Sequence, residues 1–340
     1  MLKLNVVKIV TMKELLSTND IVLLSFTRDL LGQEGIEHVV LDENMSILEG
    51  SVGILPLRIM VAEEDYHYAS RIIAIEPSLQ EKPLEDPIDK SLLTDDGFLN
   101  GAVDVYQLKD GFRSGIDAVL LGASVPDSGN LRVLDAGCGV GVVSLCIASR
   151  CLKAQIDGIE IEPKMAKIAE MNFERNELDD RLSLFNADLT QPISKLEKLG
   201  LARQSYDYVV ANPPYYDEGA VINSKNPLKR RANSGDQMLL EEWMRFMTAM
   251  VVPGGKFLMI HLADKLPEIL SVAERRFGEI TVFPIFSKEG DPATRVIVRG
   301  RKGSKGPFKL LPGMVLHGDG DGFSRDASAI LTAPLHLKID

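Results

Sequence analysis

Short apolar runs at intervals of about 25 residues each stop at a side chain that accepts hydrogen bonds. Val133-Leu134 stops at Asp135, and Ile156-Asp157-Gly158-Ile159 stops at Glu160. Leu182–Asn186 leads to Ala187-Asp188, and Tyr208-Val209-Val210 leads to Asn212. A helical pattern begins near Val142, and Pro163 suits the first position of a second helix. Runs this apolar read as buried strands of a parallel sheet. In open α/β sheets, ligands bind outside the carboxyl ends of the strands. Any one of the acids could be a helix N-cap or a solvated loop residue. Three at successive strand ends point to a ligand crevice.

Between the first strand and its helix lies Asp135-Ala136-Gly137-Cys138-Gly139-Val140-Gly141. Its glycines allow left-handed backbone and close approach to a ligand. The spacing is Gly-x-Gly-x-Gly after an acid, and Val142 stands where a dinucleotide-binding loop needs its third glycine. An acid before the loop suits an ammonium group better than a pyrophosphate. Glu160 is placed to accept both ribose hydroxyls. Glu162 is the lesser candidate because it abuts Pro163. Asp188 can accept an adenine amino group.

The fourth strand ends in Asn212-Pro213-Pro214-Tyr215. Two prolines end a strand and stiffen the turn that follows it. The turn offers an amide oxygen from Asn212, the Pro213 carbonyl and the Tyr215 ring. Those parts suit a planar amine, with two acceptors for its two N–H groups and a ring face for stacking.

These residues together resemble the class I S-adenosylmethionine-dependent methyltransferases. The Asn-Pro-Pro-Tyr form implies transfer to an exocyclic or amide nitrogen. Asp110-Gly111-Phe112-Arg113-Ser114-Gly115-Ile116-Asp117-Ala118-Val119-Leu120-Leu121-Gly122 is similar to the segment before the glycine loop in bacterial tRNA adenine-N6 methyltransferases acting on an anticodon-loop adenine. The resemblance covers roughly residues 95–335. It implies a Rossmann-like α/β fold with a seven-stranded, mostly parallel sheet whose last strand is antiparallel. It also implies S-adenosylmethionine as cofactor, bound by Asp117, Asp135, Gly137, Gly139, Gly141, Glu160, Asp188 and Asn212. Asp117 and Asp135 take the methionine end, and Asn212, Pro213, Pro214 and Tyr215 form the catalytic turn. The implied reaction is methyl transfer to N6 of an adenine in RNA, tRNA foremost.

The alternatives are the same chemistry on a release-factor glutamine amide or a DNA adenine, and a non-catalytic ligand sensor. The basic segments argue against a protein substrate. The intact Asn-Pro-Pro-Tyr argues against a sensor, and Val142 against a nicotinamide enzyme.

A net charge of −11 over 340 residues conflicts with a nucleic-acid partner until its distribution is read. Residues 76–96 hold seven acids against two lysines. Pro292–Gly318 holds Arg295, Arg299, Arg301, Lys302, Lys305 and Lys309 with no acid. Lys225, Lys229, Arg230 and Arg231 form a second cluster just past Tyr215. Lys229, Arg230, Arg231, Arg301 and Lys302 are the expected phosphate contacts. Cys138, Cys146 and Cys151 lack metal-ligand spacing, and the five histidines are scattered, so no metal is expected. Reduced thiols, no signal peptide and no apolar run of membrane-spanning length lead to an expectation of a cytoplasmic protein.

Residues 77–96 read as an acidic, proline-spaced linker between residues 1–76 and a methyltransferase domain over 97–340. The first part reads β-α-β-β-α, a small ferredoxin-like α+β unit, with a helix over Asp20–Gly35 and another over Glu63–Ile75. Thr18-Asn19-Asp20 and Met45–Ser51 make it similar to a small bacterial signal-transducing domain. A binding or homodimerisation role is expected for it. Beyond the catalytic turn, a helix over Leu239–Met250, a strand over Lys256–Ile260, a helix over 264–277 and a hairpin of Ile280–Phe286 with Arg295–Arg301 are expected. Phe308–Leu316 has no readable pattern. Asp319-Gly320-Asp321-Gly322 reads as a turn, since calcium-loop ligands are missing.

Overall fold

A computed structural model describes residues 11–18, 21–41, 57–75, 88–110, 113–214, 232–318, 320 and 322–339. The chain divides into two compact units, Met1–Lys82 and Pro83–Asp340.

The first unit contains β1 (Met12–Thr18), α1 (Ile21–Gln33), β2 (His38–Leu41), β3 (Leu57–Ala62) and α2 (Tyr66–Ile75). Its sheet has the order β1-β3-β2, and β3 runs antiparallel to both neighbours. A strand inserted between two parallel strands joined by a helix is the split β-α-β of the ferredoxin-like plan. Gly35, at φ +68°, ends α1, and the next N–H, of Ile36, donates to the Leu31 carbonyl at 2.9 Å. Leu24, Leu31, Ile36, Ile59, Val61 and Ala69 fill the core. Asn19, Asp20 and Met45–Ser51 lie outside the described residues.

The second unit opens with a hairpin, β4 (Leu93–Phe98) and β5 (Val103–Leu108). Part of the stretch expected to be linker is therefore strand. Its acids are paired: Asp95 with Arg175 at 2.9 Å, and Asp96 with Arg113 at 2.7 Å.

There follow α3 (Ile116–Ala123), β6 (Arg132–Ala136), α4 (Val142–Ala148), β7 (Gln155–Glu160), α5 (Pro163–Arg175), β8 (Leu182–Asn186), α6 (Ile193–Lys198) and β9 (Tyr206–Ala211). Next come α7 (Ala232–Met250), β10 (Val251–Leu262), α8 (Leu266–Ala273), β11 (Phe277–Phe286) and β12 (Ala293–Lys302). The sheet order is β8-β7-β6-β9-β10-β12-β11. Strands β6 to β10 pair in parallel, and β12 is antiparallel to β10 and β11. This is the class I methyltransferase sheet.

Alternation along the strands fills both faces. Val133, Ile156, Val210 and Leu258 join the core under α3, α4 and α5, while Leu134, Ile159, Val209 and Phe257 pack with Trp243, Met244 and Met247 of α7.

The tail that sequence pattern left unassigned extends this sheet. Short strands β13 (Lys309–Leu310) and β14 (Met314–Val315) pair in parallel with β11. The last helix, α9 (Arg325–Thr332), and the residues after it bury Ile330, Leu337 and Ile339 in the core beside α3 and α4. Burial of each contributes about 1.5–3 kcal/mol. Buried Arg150 ties the segment down, donating from Nε to the Leu335 carbonyl at 2.8 Å and from Nη1 to the Cys146 carbonyl at 2.7 Å.

Candidate active site

Register brings the strand ends to one rim. Ala136 is opposite both Ile159 and Ala211, and Glu160 is opposite Asn186. The glycine loop and Asn212 therefore leave adjacent strands at the same level. Gly137, Gly139 and Gly141 have φ of +64°, +57° and +87°. A Cβ on Gly137 would lie 2.5 Å from Cη2 of Trp243, and one on Gly141 would lie 2.5 Å from Cε1 of Phe173. Gly139 differs: its nearest atom would be Met165 Cε at 3.9 Å. Two glycines thus seat the loop on the protein, while the middle one borders open space.

Glu160 is 8% exposed. Its Oε2 accepts the Gly139 N–H at 2.8 Å, and Oε1 accepts the Glu162 N–H at 2.8 Å. Burial raises its pKa, and these backbone donors oppose the rise. A carboxylate has about four lone-pair sites, so two N–H bonds leave room for ribose hydroxyls. Exposed Glu162 sits at the N-cap of α5, as its contact with Pro163 foretold.

Asp135 is 1% exposed. Its Oδ2 accepts the Ser144 hydroxyl at 2.7 Å and the Ser144 N–H at 3.1 Å. Burial pushes its pKa up to about 7 against the Ser144 bonds, and Glu160 adds to the rise. The carboxyl expected at the methionine end thus ties the end of β6 to the first turn of α4 through Oδ2.

Half-buried Asp188 takes the Thr190 N–H at 2.8 Å and the Thr190 hydroxyl at 2.6 Å, both on Oδ1. Asp117, in the first turn of α3, receives Arg295 Nε at 3.0 Å. Arg295 stands opposite Leu262 at the carboxyl end of β10, so this pair also lies on the rim.

Asn212 is half-buried, Pro213 buried and Pro214 exposed. Tyr215, Lys229, Arg230 and Arg231 lie outside the described residues.

The basic run of β12 is placed differently from a continuous phosphate surface. Arg299 is buried and donates to the Thr281 hydroxyl at 3.2 Å. Lys302 donates to the Thr248 and Val251 carbonyls at 2.6 and 2.8 Å, capping the end of α7. Arg301 is half-exposed, with Nε on the Gly254 carbonyl at 3.1 Å and Nη1 3.7 Å from Glu279. It borders a shallow cavity with Asp207, Tyr208 and Lys256 at the amino ends of the strands, opposite the rim.

Ser144, Asn172 and Trp243 shape the site without having been anticipated. Asn172 left one trace in the sequence, a polar residue beside Ile168, Ala169 and Phe173 on an otherwise apolar helix face. Among the described residues no cluster of three or more His, Cys, Asp or Glu could hold a metal ion, and no helix is long and apolar enough to cross a membrane.

Residues 115–242 match the family model described as "Methyltransferase small domain". Residues 12–75 match "Putative prokaryotic signal transducing protein". The chain is 36% identical over 139 residues to the tRNA1(Val) (adenine(37)-N6)-methyltransferase of Flavobacterium psychrophilum, covering 41% of this chain and 56% of that one. A protein of the same name from Bacteroides fragilis is 27% identical over 199 residues, covering 57% and 79%. The chain therefore spans little more than half of the first of these relatives. Among solved structures, a predicted O-methyltransferase from Agrobacterium tumefaciens superposes with a TM-score of 0.56 at 24% identity, covering 65% of this chain and 98% of that one. That likeness carries the fold, and the C-terminal unit has the class I methyltransferase fold.

Proposed function

We propose that this chain is an S-adenosylmethionine-dependent methyltransferase acting on the exocyclic N6 of an adenine in tRNA. One observation carries the reading. A glycine loop held by a ribose-type acid and an Asn-Pro-Pro turn leave neighbouring strands at matched register, Ala136 opposite Ala211. The residues fit the cofactor: the open space at Gly139 admits a ligand against the backbone, and Glu160 retains acceptor capacity.

S-adenosylmethionine supplies a methyl group already activated on a sulfonium sulfur, so the protein's task is mainly to position the acceptor. Glu160 takes the ribose hydroxyls and Asp188 the adenine amino group. Asp117 faces the methionine end, and Asp135 ties the end of β6 to α4 through Ser144. The Asn212 amide oxygen and Pro213 carbonyl accept the two N–H groups of the target amine. Tyr215 stacks on the base, flipped from its neighbours.

Lys229, Arg230 and Arg231 contact RNA phosphates, while Arg301 lies at the opposite end of the strands and Lys302 is committed to α7. The relatives' name, an adenine N6 methyltransferase of tRNA1(Val), supports tRNA as the acceptor. On this reading the protein works in the cytoplasm, and its N-terminal unit is a binding or dimerisation module.

The test is transfer of labelled methyl from S-adenosylmethionine to total tRNA, bulk DNA and release factor, side by side. Label is expected in tRNA, recovered as N6-methyladenosine after digestion. Label confined to release factor or DNA refutes the substrate assignment, and label in none refutes the activity.

A further inference from the structure

Asn172 is fully buried, and its whole carboxamide is engaged. Its Oδ1 accepts the Tyr106 N–H at 2.7 Å, and its Nδ2 donates to the Tyr106 carbonyl at 3.0 Å. One turn later Asn176 repeats the pair on Asp104, accepting at 3.0 Å and donating at 2.7 Å. Four residues of helix rise about 6 Å and two residues of strand about 6.6 Å, so the two amides match alternate residues of β5. They take the place of a neighbouring strand along the edge that β4 does not cover.

Asn172 does one thing that Asn176 does not. The second N–H of Nδ2 donates to the Val140 carbonyl at 2.9 Å. Val140 stands between Gly139 and Gly141, at the middle of a loop whose glycines carry little conformational preference of their own. The same helix, α5, starts just beyond Glu160, which holds the Gly139 N–H. The middle of the loop is therefore gripped on two consecutive residues, at the Gly139 N–H by Glu160 and at the Val140 carbonyl by Asn172. A buried amide is costly unless satisfied, and mere packing at this position is served equally well by leucine.

We propose that Asn172 is a positioning residue for the cofactor, acting through the Val140 carbonyl to hold the glycine loop in its ligand-ready shape. The inference rests on the reading of that loop as the S-adenosylmethionine cradle.

The experiment uses the full chain with Asn172→Asp and, as a control, Asn176→Ala. Aspartate keeps the size of asparagine and the acceptor for Tyr106, yet when ionised it has no proton for either carbonyl. Binding of S-adenosylhomocysteine is measured by calorimetry, and steady-state rates with S-adenosylmethionine are measured on tRNA. Asn172→Asp is expected to raise the cofactor Kd and KM at least tenfold, with kcat at saturating cofactor within threefold of wild type. Asn176→Ala is expected to leave cofactor Kd within threefold. General loss of folded protein lowers apparent kcat and leaves KM alone, so the split separates positioning from instability.

Should Asn172→Asp fail to fold, amide exchange on the wild type decides. The Tyr106 N–H, held by Asn172, is expected to exchange several-fold more slowly once S-adenosylhomocysteine is bound, and unchanged exchange overturns the proposal. An unaltered Kd in Asn172→Asp overturns it too, as does an equal rise in Asn176→Ala. Wild type that binds no S-adenosylhomocysteine overturns the cofactor reading, and this proposal with it. Tight wild-type binding with an indifferent Asn172→Asp overturns this proposal alone.

Discussion

Alanine at Gly139 and alanine at Gly137 should separate ligand contact from loop support. Both glycines have positive φ, so a Cβ costs about 1–2 kcal/mol of backbone strain at either site. At Gly139 little else opposes the change, because Met165 Cε at 3.9 Å is the nearest atom. A cost of that size lowers Tm by about 2–8 °C in a domain this large. At Gly137 the new methyl meets the Trp243 ring at 2.5 Å. Overpacking adds about 1–3 kcal/mol, since the indole is buried in the core and has little room to yield. The total of about 2–5 kcal/mol predicts a loss of roughly 4–20 °C.

Affinity should reverse the ranking relative to stability. The Gly139 methyl occupies the space in which a ligand meets the loop, so the Kd for S-adenosylhomocysteine should rise tenfold or more, a loss of at least about 1.4 kcal/mol. Thermal unfolding and titration calorimetry on both variants provide the assay. The reasoning fails if Gly139→Ala binds the ligand like wild type. It also fails if Gly139→Ala loses as much stability as Gly137→Ala.

Three further outcomes follow from the same geometry. Asn212→Ala should leave cofactor Kd within a few-fold and lower single-turnover methyl transfer by roughly 10²–10³, the effect of losing one preorganised polar contact; unchanged transfer means the turn is only a stiff connection. Burial raises the Asp135 pKa from 3.8 to about 7, so the native state binds a proton that the unfolded chain releases. Its contribution to stability is present below pH 3.8 and lost as pH rises through about 7; chemical denaturation of Asp135→Asn across that range should therefore show a flatter pH dependence than wild type. Arg230→Glu should weaken tRNA binding and flatten its log–log salt slope by roughly one unit, whereas Lys302→Gln should lower Tm through the lost cap on α7 and leave the slope alone. Binding isotherms at several salt concentrations distinguish the two.

The parts of the fold that were legible share a physical cause. Strands β6, β7 and β9 are buried on both faces, so each appears as an apolar run with an abrupt polar end. Gly35 and Pro163 mark helix ends because their backbone preferences act locally. What was missed depends on distant partners. Asp95 and Asp96 looked like linker charge because Arg175 lies 80 residues from the first and Arg113 lies 17 from the second. The strand expected over Lys256–Ile260 begins earlier than its apolar run shows, because Pro253-Gly254-Gly255 precedes that run. Strand β10 runs through that triplet with a register shift between Val251 and Lys256, and a Cβ at Gly255 would sit 2.9 Å from the Asp207 carbonyl. The tail's buried residues are spread among glycines and prolines, so no periodicity reveals them. Lys302 belonged to a run of basic residues whose strand faces inward as often as outward, and its ammonium found backbone carbonyls rather than solvent.

The electrostatics of the site extend the proposed function. Asp135 and Glu160 are both buried, both raised in pKa, and both bonded to the loop or to its flanking helix. Two acids so close in a poorly solvated place resist ionising together. On the proposed reading, a positive charge bound over the loop relieves that resistance. Burial of these acids lowers the stability of the free protein as pH rises toward neutrality.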